Sequence, residues 1–204
     1  FIFEALDTSI GTIEDVETYL SLPVIGLIPQ IELSQLKYKY GSGKYEGKSK
    51  QAGQPPAEPT LDELTNVHAR LVIKYAPKSP IAESYRALRT NIQFISFESE
   101  AKVLMFSSSS PGEGKTTTIV NLALTMAQSG NRVLLIDADM RKPRLNQIFG
   151  LNRERGLSEI ILGNLGWKDC VKTVTDIITG EYGMTDIVLT PGIDNLHIIT
   201  CGSI

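Results

Sequence analysis

The stretch Ser107 to Thr118, reading SSSSPGEGKTTT, limits what this chain can fold into more than any other. It follows a short apolar run, Lys102-Val103-Leu104-Met105-Phe106, whose length and flanking serines predict a buried strand, and it precedes a segment with helical periodicity. The order is strand, glycine-containing loop, helix. Within it, Ser109-Ser110-Pro111-Gly112-Glu113-Gly114-Lys115-Thr116 matches the pattern of a phosphate-cradling loop, the P-loop, with Ser109 where the first glycine usually stands. In such a loop successive backbone N–H groups converge on phosphate oxygens. Gly112 and Gly114 keep side chains out of the way, and the following helix adds its N-terminal dipole. Lys115 is placed to bring a mobile positive charge to the β and γ phosphates, and the Thr116 hydroxyl to ligate magnesium. The plainer alternative is a serine-rich turn that happens to end in GKT. The strand and helix expected on either side weigh against it.

A length of 204 residues suits one α/β domain with extensions, and 42% apolar residues are enough for a buried core. The formal charge of −3 argues against nucleic-acid binding, which usually shows a basic excess. Cys170 and Cys201 are far apart with no metal-ligand spacing, and read as reduced, structural thiols. No run approaches the ~20 apolar residues needed to cross a bilayer. The abrupt start at Phe1-Ile2-Phe3 and the stop at Ile204 read as a piece of something larger.

Taken in order, Thr12-Ile13-Glu14-Asp15 is a capping box opening a short helix, which Pro23 ends. Val24 to Pro29 reads as a brief strand closed by proline, suited to a sheet edge. From about Gln35 to Pro59 apolar periodicity disappears, which predicts a flexible linker. Its Lys37, Lys39, Lys44, Lys48 and Lys50 form either a solvated tether or a tract able to rest on anionic lipid. Helical spacing resumes near Leu61, and Ser79-Pro80 supplies an N-cap and first-position proline for a helix over 81–97. On that helix Ile81, Tyr85, Leu88, Ile92 and Ile95 cluster within about 80° of arc, while Glu83, Arg86 and Arg89 occupy a separate arc centred about 140° away. The charged triplet is either a solvated face with internal pairing or an interface device.

After the loop, Ile119, Leu122/Ala123 and Met126/Ala127 give one apolar helical stripe ending at Gly130, a plausible C′ residue. Val133-Leu134-Leu135-Ile136 is the continuous apolar run of a parallel strand covered on both faces. It leads into Asp137-Ala138-Asp139-Met140-Arg141. Strand, helix, strand makes a βαβ unit that brings Asp137 and Asp139 out beside the phosphates. They are either Asp caps of a loop or a pair in which one carboxylate orients or deprotonates an attacking hydroxyl and the other holds water on a metal. Short helices are expected over 143–149 and 156–162, and a last strand over 195–201. Trp167 reads as a packing residue, and His68 and His197 as ordinary histidines.

Three blocks give the chain a resemblance to the bacterial tyrosine kinases, or BY-kinases, of the polysaccharide co-polymerase (Wzc/CapB-like) group: AESYRALRTN, SSSSPGEGKTT and VLLIDADMRKPR. EDVETYLSLPVIGLIP, GLSEIILG and NLHIITCGSI add weaker support. The resemblance implies an α/β fold, a P-loop NTPase-like mostly parallel sheet with helices on both faces, behind a juxtamembrane helix and short strand over 1–34 and a linker over 35–60. The kinase domain then occupies 61–204. It implies ATP and Mg as cofactors. Phosphate falls to Ser110, Gly112, Glu113, Gly114, Lys115, Thr116 and Thr117, with Arg141 nearby, and metal to Thr116 and Asp139. Lys115, Asp137 and Asp139 are the implied catalytic residues, with Asp137 the base for a tyrosine hydroxyl.

The same resemblance makes Glu83, Arg86 and Arg89 an oligomer interface that docks each subunit against its neighbour in a ring, which favours the interface reading over the solvated face. It further implies phosphorylation of tyrosines in the tails of neighbouring subunits, a co-polymerase region N-terminal in the inner membrane, and a place on the cytoplasmic face of that membrane. The outcome is regulation of capsular or exopolysaccharide polymerisation and export. The family's third motif, D-x-x-P, and its C-terminal tyrosines are missing, which predicts a fragment that binds nucleotide poorly or fails to turn it over. A partition ATPase of the MinD/ParA type shares the fold, but Ser110 stands where its signature lysine belongs. A non-catalytic co-polymerase module is the other rival.

Overall fold

The structure, a computed structural model, describes residues 12–30, 71–99, 102–180 and 189–203, with residues 96–99 described by their backbone alone. The expected linker, the helical spacing from Leu61 to residue 70, the linker tyrosines and His68 lie outside the described residues.

Helix α1 (Ile13–Leu20) starts at the expected capping box. The Asp15 amide donates to Thr12 Oγ1 at 3.2 Å and the Thr12 amide to Asp15 Oδ2 at 2.9 Å, satisfying two end donors reciprocally. It ends at Ser21 in the left-handed region, before Pro23. Val24 to Pro29, expected as a strand, forms none. Its backbone instead serves helix packing: the Ile25 carbonyl accepts from Asn91 Nδ2 at 2.8 Å, and Gly26 lies so close to Leu88 that a Cβ there would come within 3.0 Å of it.

Helix α2 (Val72–Tyr75) is short and buries Val72 and Ile73. Helix α3 (Pro80–Ser99) begins where Ser79 and Pro80 place it, the Ala82 amide donating to Ser79 Oγ at 3.1 Å. Helix α4 (Lys115–Gln128) packs along α3, with Leu88 and Ile92 against Leu122. Gly130, at φ 87°, closes α4 as a C′ glycine.

Strand β1 (Val133–Ile136) follows, then short helices α5 (Leu145–Phe149), α6 (Leu157–Ile161), α7 (Trp167–Cys170) and α8 (Val174–Thr179), a 3-10 turn over Ile193–Asn195, and strand β2 (Leu196–Ile199). The two strands are parallel, in register from Val133 opposite Leu196 to Ile136 opposite Ile199. Lys172 adds an antiparallel bridge to Ile198. The core between helices and sheet gathers Val72, Tyr85, Val120, Leu124, Leu135 and Ile198. Each such side chain stabilises by about 1.5–3 kcal/mol when fully buried.

Three further expectations need correction. The run 102–106 forms no strand, and Val103 and Met105 are 87% and 91% exposed, although Phe106 packs against the Leu88–Leu122 contact. A strand needs ladder partners to leave water, and among the described residues the ladder is β1 with β2. The same shortage leaves β1 half covered: Leu135 is buried, while Leu134 and Ile136 on the opposite face are 44% and 43% exposed. Trp167 also differs from its expected packing role, being 56% exposed with Lys168 Nζ 5.6 Å from its ring centroid.

Candidate phosphate-binding site

Residues 107–114 turn from the extended segment into α4, and two glycines make the turn. Gly112 has φ 87° and Gly114, the N-cap of α4, has φ 91°, a region where an L side chain is strained. Lys115, Thr116 and Thr117 form the first turn of α4. No side chain caps this helix end and no acidic residue stands in its first turn. Its first amides and the positive end of the helix dipole therefore form a fitting seat for a phosphate. Around the loop, Ser108 Oγ donates to the Ser110 carbonyl at 3.0 Å, while Ser109 Oγ and the Ser110 amide donate to Glu113 at 2.9 and 3.1 Å.

The end of β1 brings the two aspartates to this loop by different routes. The Asp137 amide extends the ladder to the Ile199 carbonyl at 2.9 Å, which fixes the residue where the strand ends. Its buried carboxylate accepts from three amides: Asp139 at 3.2 Å on Oδ1, and Arg144 and Leu145 at 3.0 Å each on Oδ2. Asp137 thus caps α5, whose own N-cap residue, Arg144, makes no side-chain cap. The Asp-cap reading and the catalytic reading are therefore compatible in this one residue, since the carboxylate keeps acceptor capacity beyond these bonds.

Asp139 is half-exposed and accepts from the amides of Arg141 and Lys142 at 3.2 and 3.0 Å. The bond from the Lys142 amide comes first, and with the Arg141 amide and the charges of Lys115 and Lys142 it holds the Asp139 carboxyl below the usual range. Lys115 at the start of α4 thus contributes charge felt by Asp139 at the end of β1. Arg141 lies exposed at its rim. No group of three or more His, Cys, Asp or Glu capable of holding a metal occurs among the described residues. One hydroxyl and one carboxylate, Thr116 and Asp139, are instead the sparse oxygen set that suits a magnesium ion carried in with phosphates and water.

The E-x-x-R-x-x-R triplet of α3 is only partly as the helical wheel has it. Glu83 is exposed and pairs with Arg86, whose other Nη donates to the Pro77 carbonyl at 2.7 Å. Arg89 does not face away from the core. Its Nη1 donates to the Thr125 carbonyl of α4 at 3.2 Å, and its Nε is buried without a partner among the described residues.

The sequence reading missed a polar node directly under the loop. Tyr85, 1% exposed, hydrogen-bonds through its hydroxyl to the side chains of Thr118 and Asn121, and burial pushes its phenol up despite both bonds. Asn121, also buried, accepts from the Ile73 amide at 3.1 Å and donates to the Thr117 carbonyl at 2.8 Å. The available signal was Asn121 set between Val120 and Leu122-Ala123-Leu124, apolar on every side of a helix that is buried nearly all round, where an asparagine must find partners. Both cysteines are free and buried, and burial pushes both thiols up, as structural thiols require.

Comparison with known proteins places this geometry. Residues 101–203 match the family described as an AAA domain. The tyrosine-protein kinase YwqD of Bacillus subtilis is 46% identical over 96 residues, covering 47% of this chain and 40% of that protein. The tyrosine-protein kinase wzc of Salmonella typhimurium is 40% identical over 96 residues, 47% of this chain and 13% of its own length. A solved structure of the BceF tyrosine kinase domain superposes with a TM-score of 0.66 at 28% identity, covering 96% of this chain and 64% of that one. The chain spans less than half the length of these two curated relatives.

Proposed function

We propose, from the fact that this chain belongs to the AAA domain family, that it is the nucleotide-binding part of a bacterial tyrosine autokinase. The observation that carries the reading is the Gly112–Gly114 loop opening directly into an uncapped α4 at Lys115, whose charge acts on Asp139 at the end of β1. A P-loop in this fold receives a nucleotide with a metal ion. The nucleotide would be ATP and the metal Mg, which the Thr116 hydroxyl and Asp139 would hold. When bound, the metal neutralises charge on the phosphoryl group being transferred.

The chain's own residues do the rest. The amides of residues 112–117 orient the phosphates, and the Lys115 ammonium stabilises negative charge where the bond to the leaving phosphate breaks. Asp137 is rigidly aimed by its three amide bonds and accepts the proton of the attacking tyrosine hydroxyl. Arg141, exposed at the rim, steadies the phosphate region. The acceptor tyrosines belong to neighbouring subunits, assembled through the α3 triplet. The setting is the cytoplasmic face of the inner membrane, in control of capsular or exopolysaccharide polymerisation. No helix among the described residues is long and apolar enough to cross a membrane.

The test presents the chain with γ-labelled ATP, magnesium and a tyrosine-rich peptide. Label on tyrosine, lost by at least a hundredfold in Lys115→Met with the circular dichroism spectrum unchanged, is the expected result, consistent with removal of a transition-state charge at roughly 3 kcal/mol. Equal label in Lys115→Met overturns the reading.

A further inference from the structure

Glu113 stands in the middle of a loop that receives phosphates, where a carboxylate is electrostatically unwelcome. Its side chain accounts for its presence. Ser109 Oγ donates to Oε1 at 2.9 Å and the Ser110 amide to Oε2 at 3.1 Å, so the carboxylate reaches back across Pro111 and Gly112 and joins the entrance of the loop to its far side. The segment it encloses contains Gly112 at φ 87° and is followed by Gly114 at φ 91°, two residues with wide conformational freedom. Ser108 Oγ on the Ser110 carbonyl, at 3.0 Å, holds the same entrance from the other side. The Ser110 amide bond first, then the Ser109 hydroxyl, keep the Glu113 carboxyl below the usual range, so the link remains charged near neutral pH. The end of α4 that meets phosphate is left without a side-chain cap.

We propose that Glu113 is a positioning residue, a clasp on Ser109 and Ser110 that holds the Gly112–Gly114 turn in its phosphate-receiving shape before nucleotide arrives. The inference rests on the nucleotide-binding reading above. Ordering a turn with two glycines in advance spares that ordering at the moment of binding, which strengthens affinity without any contact between the carboxylate and the ligand.

Two measurements on the same chain test it. Fluorescent ADP with magnesium is titrated against the unaltered chain, Glu113→Ala, Ser109→Ala, the double variant and Glu113→Gln. Exchange of the Ser110 amide is followed by NMR without nucleotide. Glu113→Ala weakens binding about fivefold and Ser109→Ala about twofold, as loss of exposed charge-assisted hydrogen bonds allows. The double variant binds no worse than Glu113→Ala, because both remove one clasp. Glu113→Gln, which keeps an acceptor, recovers most of the affinity, and Ser110 exchanges several-fold faster in Glu113→Ala. Unchanged or tighter binding by Glu113→Ala, additive losses, or unaltered Ser110 exchange overturns the clasp. An unaltered chain that binds no nucleotide, with Ser110 still exposed by Glu113→Ala, overturns the nucleotide reading instead and takes the positioning role with it.

Discussion

Glu159 shows how much a single side chain can organise. Its carboxylate accepts from the hydroxyl of Ser203, from the Ser203 amide at 3.2 Å, from Ser158 Oγ at 2.9 Å and from the Gly156 amide at 2.8 Å. These bonds, the Ser203 hydroxyl foremost, hold its carboxyl down at about 2. The knot forms because Gly156 and Gly202 let two backbones touch: a Cβ on Gly156 would come within 2.3 Å of the Gly202 amide nitrogen. A depressed carboxyl stabilises the fold above the ordinary glutamate range, and that contribution is lost as pH falls from about 4.5 toward 2. In urea unfolding at pH 6, Glu159→Gln should therefore lose roughly 1–3 kcal/mol, and the gap to the unaltered chain should narrow steadily as the pH is lowered from 5 to 3. A gap that stays constant with pH would show that the charge is not what matters. The Gly156 half of this knot is a local helix-start signal, but the Ser203 half joins residues far apart in sequence, beyond the reach of any spacing rule.

At the scale of elements, α3 and α4 are tied at two levels, by Tyr85 on Thr118 and Asn121, and one turn further along α3 by Arg89 on the Thr125 carbonyl. Apolar periodicity identified the stripe of α3, and Tyr85, Leu88 and Ile92 are indeed buried. It misplaced Arg89 because that residue borders the stripe one turn from Tyr85, where contact with the neighbouring helix decides burial. Tyr85→Phe leaves the ring's packing intact and removes only the hydroxyl, stranding the Thr118 and Asn121 side chains on that side. Denaturant unfolding should show a loss of about 1–2 kcal/mol. A variant as stable as the unaltered chain would mean that these bonds contribute nothing net.

For the molecule as a whole, the α3 face is the one proposed to meet another copy. Arg86 is already held by Glu83 and the Pro77 carbonyl, and Arg89 by α4, so Glu83 is the member of the triplet most free to engage a neighbour. Truncating the arginines would disturb the fold as well as the contact. Glu83→Lys reverses the exposed charge without touching the core, and should reduce the mass measured by light scattering to that of a single chain. An unchanged oligomer, or an unaltered chain that is itself monomeric, refutes assembly through this helix.

The sequence by itself determined the local machinery: the capping box at Thr12, the start of α3 at Ser79-Pro80, the loop from Ser107 to Thr118, and the strand that delivers Asp137 and Asp139. All of these are set by residues within a few positions of one another, through φ preferences, caps and periodicity. The resemblance to tyrosine kinases, drawn from three short blocks, is borne out by the relatives. Only the tertiary structure decided that 102–106 lacks a ladder among the described residues, that Asp137 caps α5, and that a buried tyrosine on α3 bonds the helix carrying the loop. Those outcomes depend on which backbone and side-chain groups from distant stretches become neighbours. Hydrogen bonding and burial then follow from that neighbourhood.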